Sequence, residues 1–345
     1  MNRHTDTPHA LGLADLPPRP GPSDYRKAAL SLLPHIHSMV PPMGEGQSFA
    51  RLQFLSTVAR QDLGLARLVE GHLDATQILR EAGKPAEPDR LYGIWASGGP
   101  SDTTVLQTGN SAEPNMRLSG VKPFCSGSDL VDTALVHVYS ADQLIAVDMH
   151  RAREQQRVRF DEGAWVSSAF AATHTWTVEF NRTAVSADQQ IGGANWYFER
   201  PGFALGALAP AACWAGGAFG LVDTVRRKRL TNAHARAHLG AMVSALYSMQ
   251  SMLRWACERA DADPRNQAGD IFPTALLVRH QIERGCTEIL DRFGRTLGPR
   301  PFVFDAGSAR HIEELTVYIR QCHSEQDLEE LGDYVEKHPE FCSDI

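Results

Sequence analysis

Residues 118–136 read LSGVKPFCSGSDLVDTALV. The stretch starts as a strand, reaches a lysine and a proline, then crosses Phe124-Cys125-Ser126-Gly127-Ser128, where small and polar residues dominate. A second apolar run, Ala134 to Val138, follows. Such a loop offers backbone amides at close approach, hydroxyls for heteroatoms and an aromatic ring for stacking. A plain turn has the same composition, so the surrounding chain has to decide between them.

On either side the hydrophobic period changes. From about Tyr25 to Arg90 it is helical, with Phe54, Leu55, Val58, Leu63, Leu65, Leu68, Val69, Leu73, Ile78 and Leu79 in series. "GKPAEPDR" ends that series. Short β-rich runs then alternate with turns: "YGIWAS", "MRLSGVKPF", "TALVHVY", "QLIAVDM", "VRF" and "HTWTVEF". From about Trp196 helices return. "GFALGALAPAACWAGGAFGLVDTV" is rich in small residues, so a helix or a ligand can approach its backbone. "HLGAMVSALYSMQSMLRWACERA" and "FPTALLVRHQIERGCTEILDRFGRTLG" are long and amphipathic, and "ARHIEELTVYIRQCHSEQDLEELGDYVE" is the last helical stretch. The order predicts an α+β multidomain chain: a disordered tail (1–24), an N-terminal helical domain (25–90), a central β-domain (91–195) and a C-terminal helical bundle (196–345).

Composition narrows the function classes. The chain has 345 residues, 43% hydrophobic and 22% charged, the profile of an ordinary globular protein. Its net charge of −7 argues against a nucleic-acid binder. The basic run Arg226-Arg227-Lys228-Arg229 reads as a solvated helix face. The six cysteines are widely spaced without a C-x-x-C pair, which fits reduced thiols and a cytoplasmic location. No apolar run reads as a membrane span, and the proline-rich N-terminus lacks the apolar centre of a signal peptide. His35 with His37, and His234 with His238, lack carboxylate or cysteine partners at ligand spacing, so no metal site is expected.

With that order in hand, the chain resembles the acyl-CoA dehydrogenase family of flavoproteins from about residue 50 to the end. "YGIWASGGPSD" stands where that family has its first flavin-contacting strand and loop. The 118–136 stretch resembles its "G-x-K-x-W-I-T-x-A…A-D" segment, "WTVEFNRTAVSADQQIG" its "V-x-F-x-x-V-x-V-P…L-G" segment, and "RAHLG" (Arg236 to Gly240) its "R-x-Q-F-G". The run from Arg310 resembles "R-x-x-x-D-x-x-x-Y". The resemblance implies an N-terminal α-helical domain, a central β-barrel-like domain, a C-terminal four-helix bundle and a bound FAD. It implies that Phe124 flanks the flavin ring, that Ser126 and Ser97 stand for hydroxyls near it, and that Arg236 reaches the pyrophosphate. It implies that Ser324 and Gln326 match a threonine and a glutamine that contact FAD.

The family's catalytic glutamate is absent from both places it takes. Cys322 stands at one, followed by His323, and Pro210 at the other. Cys322 and His323 are the candidate replacements, since an imidazole can lower a neighbouring thiol's pKa. Glu325 enters if the loop shifts, while Glu199 lies well upstream. The expected function is an FAD-dependent oxidoreductase acting on the CH–CH group of an acyl thioester, with a small-molecule or carrier-bound substrate. The alternatives are a flavin monooxygenase on the same scaffold and a catalytically inactive relative. The resemblance also implies a homodimer or homotetramer. Leu239, Met242, Leu246 and Met249 can serve either that interface or the monomer core.

Overall fold

A computed structural model describes residues 16–21, 23–108 and 116–343. Three helices come first: α1 (Tyr25–Met39), α2 (Ser48–Gln61) and α3 (Leu63–Glu81). The α3 N-terminus is fixed by Asp62, whose carboxylate accepts from the Leu65 amide at 2.9 Å. Most of the tail expected at 1–24 lies outside the described residues. The described part is held in place: Leu16 is buried, the Pro17 carbonyl accepts from Gln61 and Arg19 pairs with Asp62.

The middle of the chain forms two four-stranded sheets. The first has the order β1 (Tyr92–Trp95), β4 (Thr133–Val138), β5 (Gln143–Asp148), β8 (Gln190–Ile191). The second has β2 (Val105–Gln107), β3 (Met116–Cys125), β7 (Trp176–Val185), β6 (Val158–Asp161). β4 is buried at every residue, so it reads as a continuous apolar run rather than an alternation. It pairs in parallel with β1 and antiparallel with β5. The quoted stretch is therefore β3, a loop and β4, one strand from each sheet. Sequence reading misses β2 and β8, two short strands without a β-rich run, and the short helix α4 (Met149–Glu154).

After α5 (Trp196–Glu199) and α6 (Pro201–Gly206) come the long helices α7 (Leu208–Arg226), α8 (Ala233–Ala262) and α9 (Ile271–Leu297), followed by α10 (Arg300–Val303), α11 (Ala306–Tyr318) and α12 (Glu325–Lys337). The last helical stretch of the sequence is thus broken: Cys322 is extended and Ser324 has φ 49°. Met242, Leu246 and Met249 are core residues of the chain itself.

The segment Pro201–Arg226 is long and apolar enough to cross a membrane, contrary to the sequence reading, but 72% of its apolar window is buried inside the fold. Its small residues serve helix contact. A Cβ on Gly216 would lie 2.2 Å from the Ser56 carbonyl oxygen, and one on Gly220 2.5 Å from that of Arg60. α7 thus packs backbone to backbone on α2. Gly216→Ala is expected to cost about 1–3 kcal/mol through overpacking, read as a lower denaturant midpoint.

Candidate functional site

Two loops identified in the sequence meet at one end of the sheets. Trp95, the last residue of β1, donates its indole N–H to the Ser126 carbonyl at 3.0 Å. Asp102, in the loop after β1, pairs with Lys122 of β3 at 2.5 Å, and neither side chain is exposed. Lys122 also donates to the His137 carbonyl of β4 at 2.7 Å. The 126–128 turn is tied to the segment before β7: Gly127 N–H donates to Thr173 O, and the Ser128 amide and hydroxyl both donate to His174 O. One buried ion pair and a few backbone bonds therefore fix both loops.

On this frame sits an open aromatic surface. Phe124 has φ 57° and is 54% exposed. A left-handed conformation is costly for a bulky residue, and such strain concentrates at functional positions. Trp165 meets the Phe124 ring edge-on at 6.3 Å. Nearby, His174 stacks on Trp176 at 4.2 Å and 8° and contacts Asp129.

Behind Ser126 lies a buried polar cluster. Arg67 Nε of α3 donates to Ser126 Oγ at 3.0 Å, and Thr175 donates to the same oxygen at 3.4 Å. The Arg67 guanidinium lies over the Tyr318 ring at 5.1 Å and 3.5 Å from Glu70. The Tyr318 hydroxyl donates to Glu70 Oε2 at 3.4 Å. Tyr318 meets Phe170 and Trp214 edge-on, and Arg279 covers Trp214 at 4.9 Å. Burial pushes the Glu70 carboxyl up to about 7, against the pull of Arg67. Burial, with the Cys213 and Glu70 charges, holds the Tyr318 phenol well above its ordinary value. The cluster therefore presents proton donors at neutral pH.

The residues predicted from sequence fall into two groups. Phe124 and Ser126 form the surface just described, and Ser97 is exposed on the Asp102-anchored loop. The second group lies on the helical part. Arg236 is exposed in the first turn of α8, with a 3.4 Å bond to the Leu230 carbonyl. Ser324 is half-buried and Gln326 exposed at the start of α12. Cys322 is buried, 3.7 Å from Asp327 Oδ2. His323 is 67% exposed, 3.4 Å from Asp327 Oδ1. Both turn to one carboxylate, and burial pushes the Cys322 thiol up, the opposite of activation.

Arg67, Glu70 and Arg279 were missed. Their signal was present: "LGLARLVEGHL" places an arginine and a glutamate three apart among leucines, where a single helix face is otherwise apolar. Among the described residues no group of three or more His, Cys, Asp or Glu is placed to hold a metal ion.

No protein-family model and no curated protein matches the sequence. Solved structures do. The dibenzothiophene monooxygenase TdsC from Paenibacillus sp. A11-2, solved with FMN and indole, superposes with a TM-score of 0.74 at 16% identity, over 92% of this chain and 90% of that one. Methanesulfinate monooxygenase MsuC from Pseudomonas fluorescens gives 0.69 at 18% identity, over 90% and 88%. Butyryl-CoA dehydrogenase from Megasphaera elsdenii gives 0.66 at 13% identity, over 84% and 82%. The helical, two-sheet, helical layout is common to these proteins, and the chain has the acyl-CoA dehydrogenase fold.

Proposed function

We propose that this chain is a flavin-dependent oxidoreductase that oxygenates a small molecule and uses FMN. One observation carries the proposal: a strained, exposed aromatic residue, Phe124, stands beside a hydroxyl, Ser126, that is held from behind by Arg67. A planar, heteroatom-rich ring fits this arrangement, with Phe124 against its face and Ser126 at its edge. A bound flavin supplies hydride transfer and, with dioxygen, oxygen transfer. FMN is proposed in place of FAD because TdsC, with the same fold, was solved with FMN.

Oxygenation is favoured over dehydrogenation by what the chain lacks at the two family positions. Pro210 has no side-chain base, Cys322 holds its proton, and His323 faces solvent. The Arg67 guanidinium, which donates to Ser126, suits an oxygen atom that gains charge. Dehydrogenation of an acyl thioester is the second reading, favoured by one feature. Glu70, with its pKa pushed up to about 7, has the proton affinity of a general base at neutral pH.

The test starts with colour. Purified protein is expected to be yellow, or to become so with added FMN, and extraction identifies the flavin. Anaerobic acyl-CoA thioesters are expected to leave the flavin oxidised, while a supply of reduced flavin supports oxygen consumption with substrate. Bleaching by any thioester would establish the dehydrogenase reading instead. Failure to bind either flavin would remove both and leave the inactive relative. Phe124→Ala is expected to weaken flavin binding about two- to tenfold through lost stacking, worth about 0.5–1.5 kcal/mol, as titrated by fluorescence quenching.

A cytoplasmic location fits the five buried free thiols. A homodimer or homotetramer is proposed through α8, which exposes Tyr247 and Trp255. Light scattering of the wild type against Tyr247→Glu checks it.

A further inference from the structure

We infer that Arg67 sets the reduction potential of the proposed flavin, acting through Ser126. This rests on the reading of Phe124 and Ser126 as the flavin's seat.

A serine hydroxyl has one proton to give and two lone pairs to receive with. Both receiving positions of Ser126 Oγ are filled from inside the protein: Arg67 Nε donates at 3.0 Å and the Thr175 hydroxyl at 3.4 Å. Its own proton goes to no other described residue. Ser126 is half-buried in the turn after β3, and that turn is held by the Trp95 indole on the Ser126 carbonyl and by the Gly127 amide on Thr173 O. The hydroxyl therefore meets a ligand in one sense only, as a donor. A freely turning serine would give or accept, following whatever atom the ligand presents.

Behind this donor stands a positive charge. Arg67 keeps its proton as any protein guanidinium does. Its ion-pair partner, Glu70, lies 3.5 Å away. Burial pushes the Glu70 carboxyl up to about 7, so near neutral pH it offsets Arg67 only about half of the time. Arg279 of α9 brings a second guanidinium to the cluster, with its hydrogen bonds on the carbonyls of Ala207 and Gln321. The other groups facing Glu70 are Asp74 of α3, Arg51 of α2, Tyr197 of α5, Cys213 of α7 and Tyr318 at the end of α11. The charge in contact with Ser126 is thus positive and only partly balanced.

A fixed donor backed by a guanidinium favours an electron-rich ligand edge over an electron-poor one, and it does so strongly away from water. A flavin that takes up two electrons and one proton becomes an anion. Arg67 and Ser126 therefore hold the reduced form more firmly than the oxidised one. Only such a difference moves a potential. Phe124 stacks on either form, so it governs affinity, while Arg67 is a positioning residue that governs the balance between the forms.

The test is an anaerobic titration of the FMN-loaded protein against a reference dye. Dithionite, oxidised to sulfite, supplies the two electrons and the buffer the proton. Arg67→Met is expected to lower the ratio of reduced to oxidised FMN affinity about tenfold or more, a fall in potential of about 30 mV or more. Arg67→Lys, which keeps the charge, is expected to recover most of that ratio. Phe124→Ala is expected to weaken both forms and leave the ratio close to the parent's. A parent-like ratio in Arg67→Met overturns the proposal whatever the absolute affinity, because an arginine that only held the fold would weaken both forms together. Should Arg67→Met not fold, Glu70→Gln removes the opposing charge and spares the Ser126 contact. At about pH 8 most of the parent's Glu70 is ionised, so this variant is expected to raise the ratio about threefold or more. At about pH 5 Glu70 is protonated in the parent, and the two ratios are expected to agree. An unchanged ratio at both pH values overturns the proposal as well. A parent that binds no flavin removes the seat itself, an outcome distinct from a seat that binds flavin at an unmoved potential.

Discussion

Lys122→Met is expected to lower stability by about 3–5 kcal/mol, the cost of leaving one member of a buried ion pair without its partner. Neither Lys122 nor Asp102 has any exposed side-chain area, and 2.5 Å separates Nζ from Oδ2. Asp102 already accepts from the Thr104 amide at 3.0 Å and hydroxyl at 2.6 Å, so those donors cannot replace an ammonium. The lost lysine also leaves the His137 carbonyl without its 2.7 Å donor. The effect extends to the site, because this pair anchors the Ser97 loop to β3, the strand that carries Phe124. Flavin affinity is therefore expected to fall along with stability. Urea unfolding measures the first and flavin titration the second. Replacing Asp102 as well, by leucine, is expected to recover part of the stability, since the uncompensated charge goes with it. A single variant as stable as the parent would show that the Lys122–Asp102 contact does not hold the fold together.

The legible and illegible parts of this chain divide along physical lines. The order of helices and strands follows from local periodicity, and each of the six strand-like runs of the sequence contains a strand. The placing of Phe124 and Ser126 where a strand gives way to a loop was legible because a strand followed by small polar residues is a local signal. Lys122 was only half legible. Its position within "GVKPF" marks the segment, but its partner lies twenty residues earlier, and nothing local distinguishes Asp102 from a surface turn residue. The Arg67–Glu70–Tyr318 cluster joins α3 to the end of α11, and sequence distance hides such contacts. The glycines of α7 left two occupants open, and packing on α2 settled the matter for Gly216 and Gly220. Adjacency suggested Cys322 and His323 as a working pair. Their shared partner is Asp327, one helical turn beyond His323, and a helix start at Glu325 puts it there.

Glu314→Gln is expected to flatten the pH dependence of stability between about pH 5 and pH 8, with the largest gain over the parent at the alkaline end. Glu314 is 1% exposed, and its Oε2 has no hydrogen-bond partner. Its neighbour Asp62 collects the available donors: Arg19 at 3.0 Å, Arg310 at 2.8 Å, Tyr25 at 3.0 Å and the Leu65 amide at 2.9 Å. Arg310 comes only to 4.0 Å of Glu314. Burial first, then the Asp62 charge, push the Glu314 carboxyl from 4.5 up to about 8. The direction of the pH effect follows. Between these values the folded chain binds more protons at this group than the unfolded chain does, so stability falls as pH rises. The contribution is complete below the unfolded value and is lost as pH passes through the folded one. At roughly 1.4 kcal/mol per pKa unit the full span approaches about 5 kcal/mol, and the coupling to Asp62 makes several kcal/mol the figure to look for. Glutamine keeps the shape of the protonated acid and has nothing to ionise. Urea midpoints at a series of pH values are therefore expected to coincide for the two proteins near pH 5 and to diverge steadily above it. Parallel profiles would mean that Glu314 ionises freely in the folded state and that Asp62 does not monopolise the arginines. Glu70→Gln is expected to act in the same direction over a narrower window, because its folded value lies at about 7.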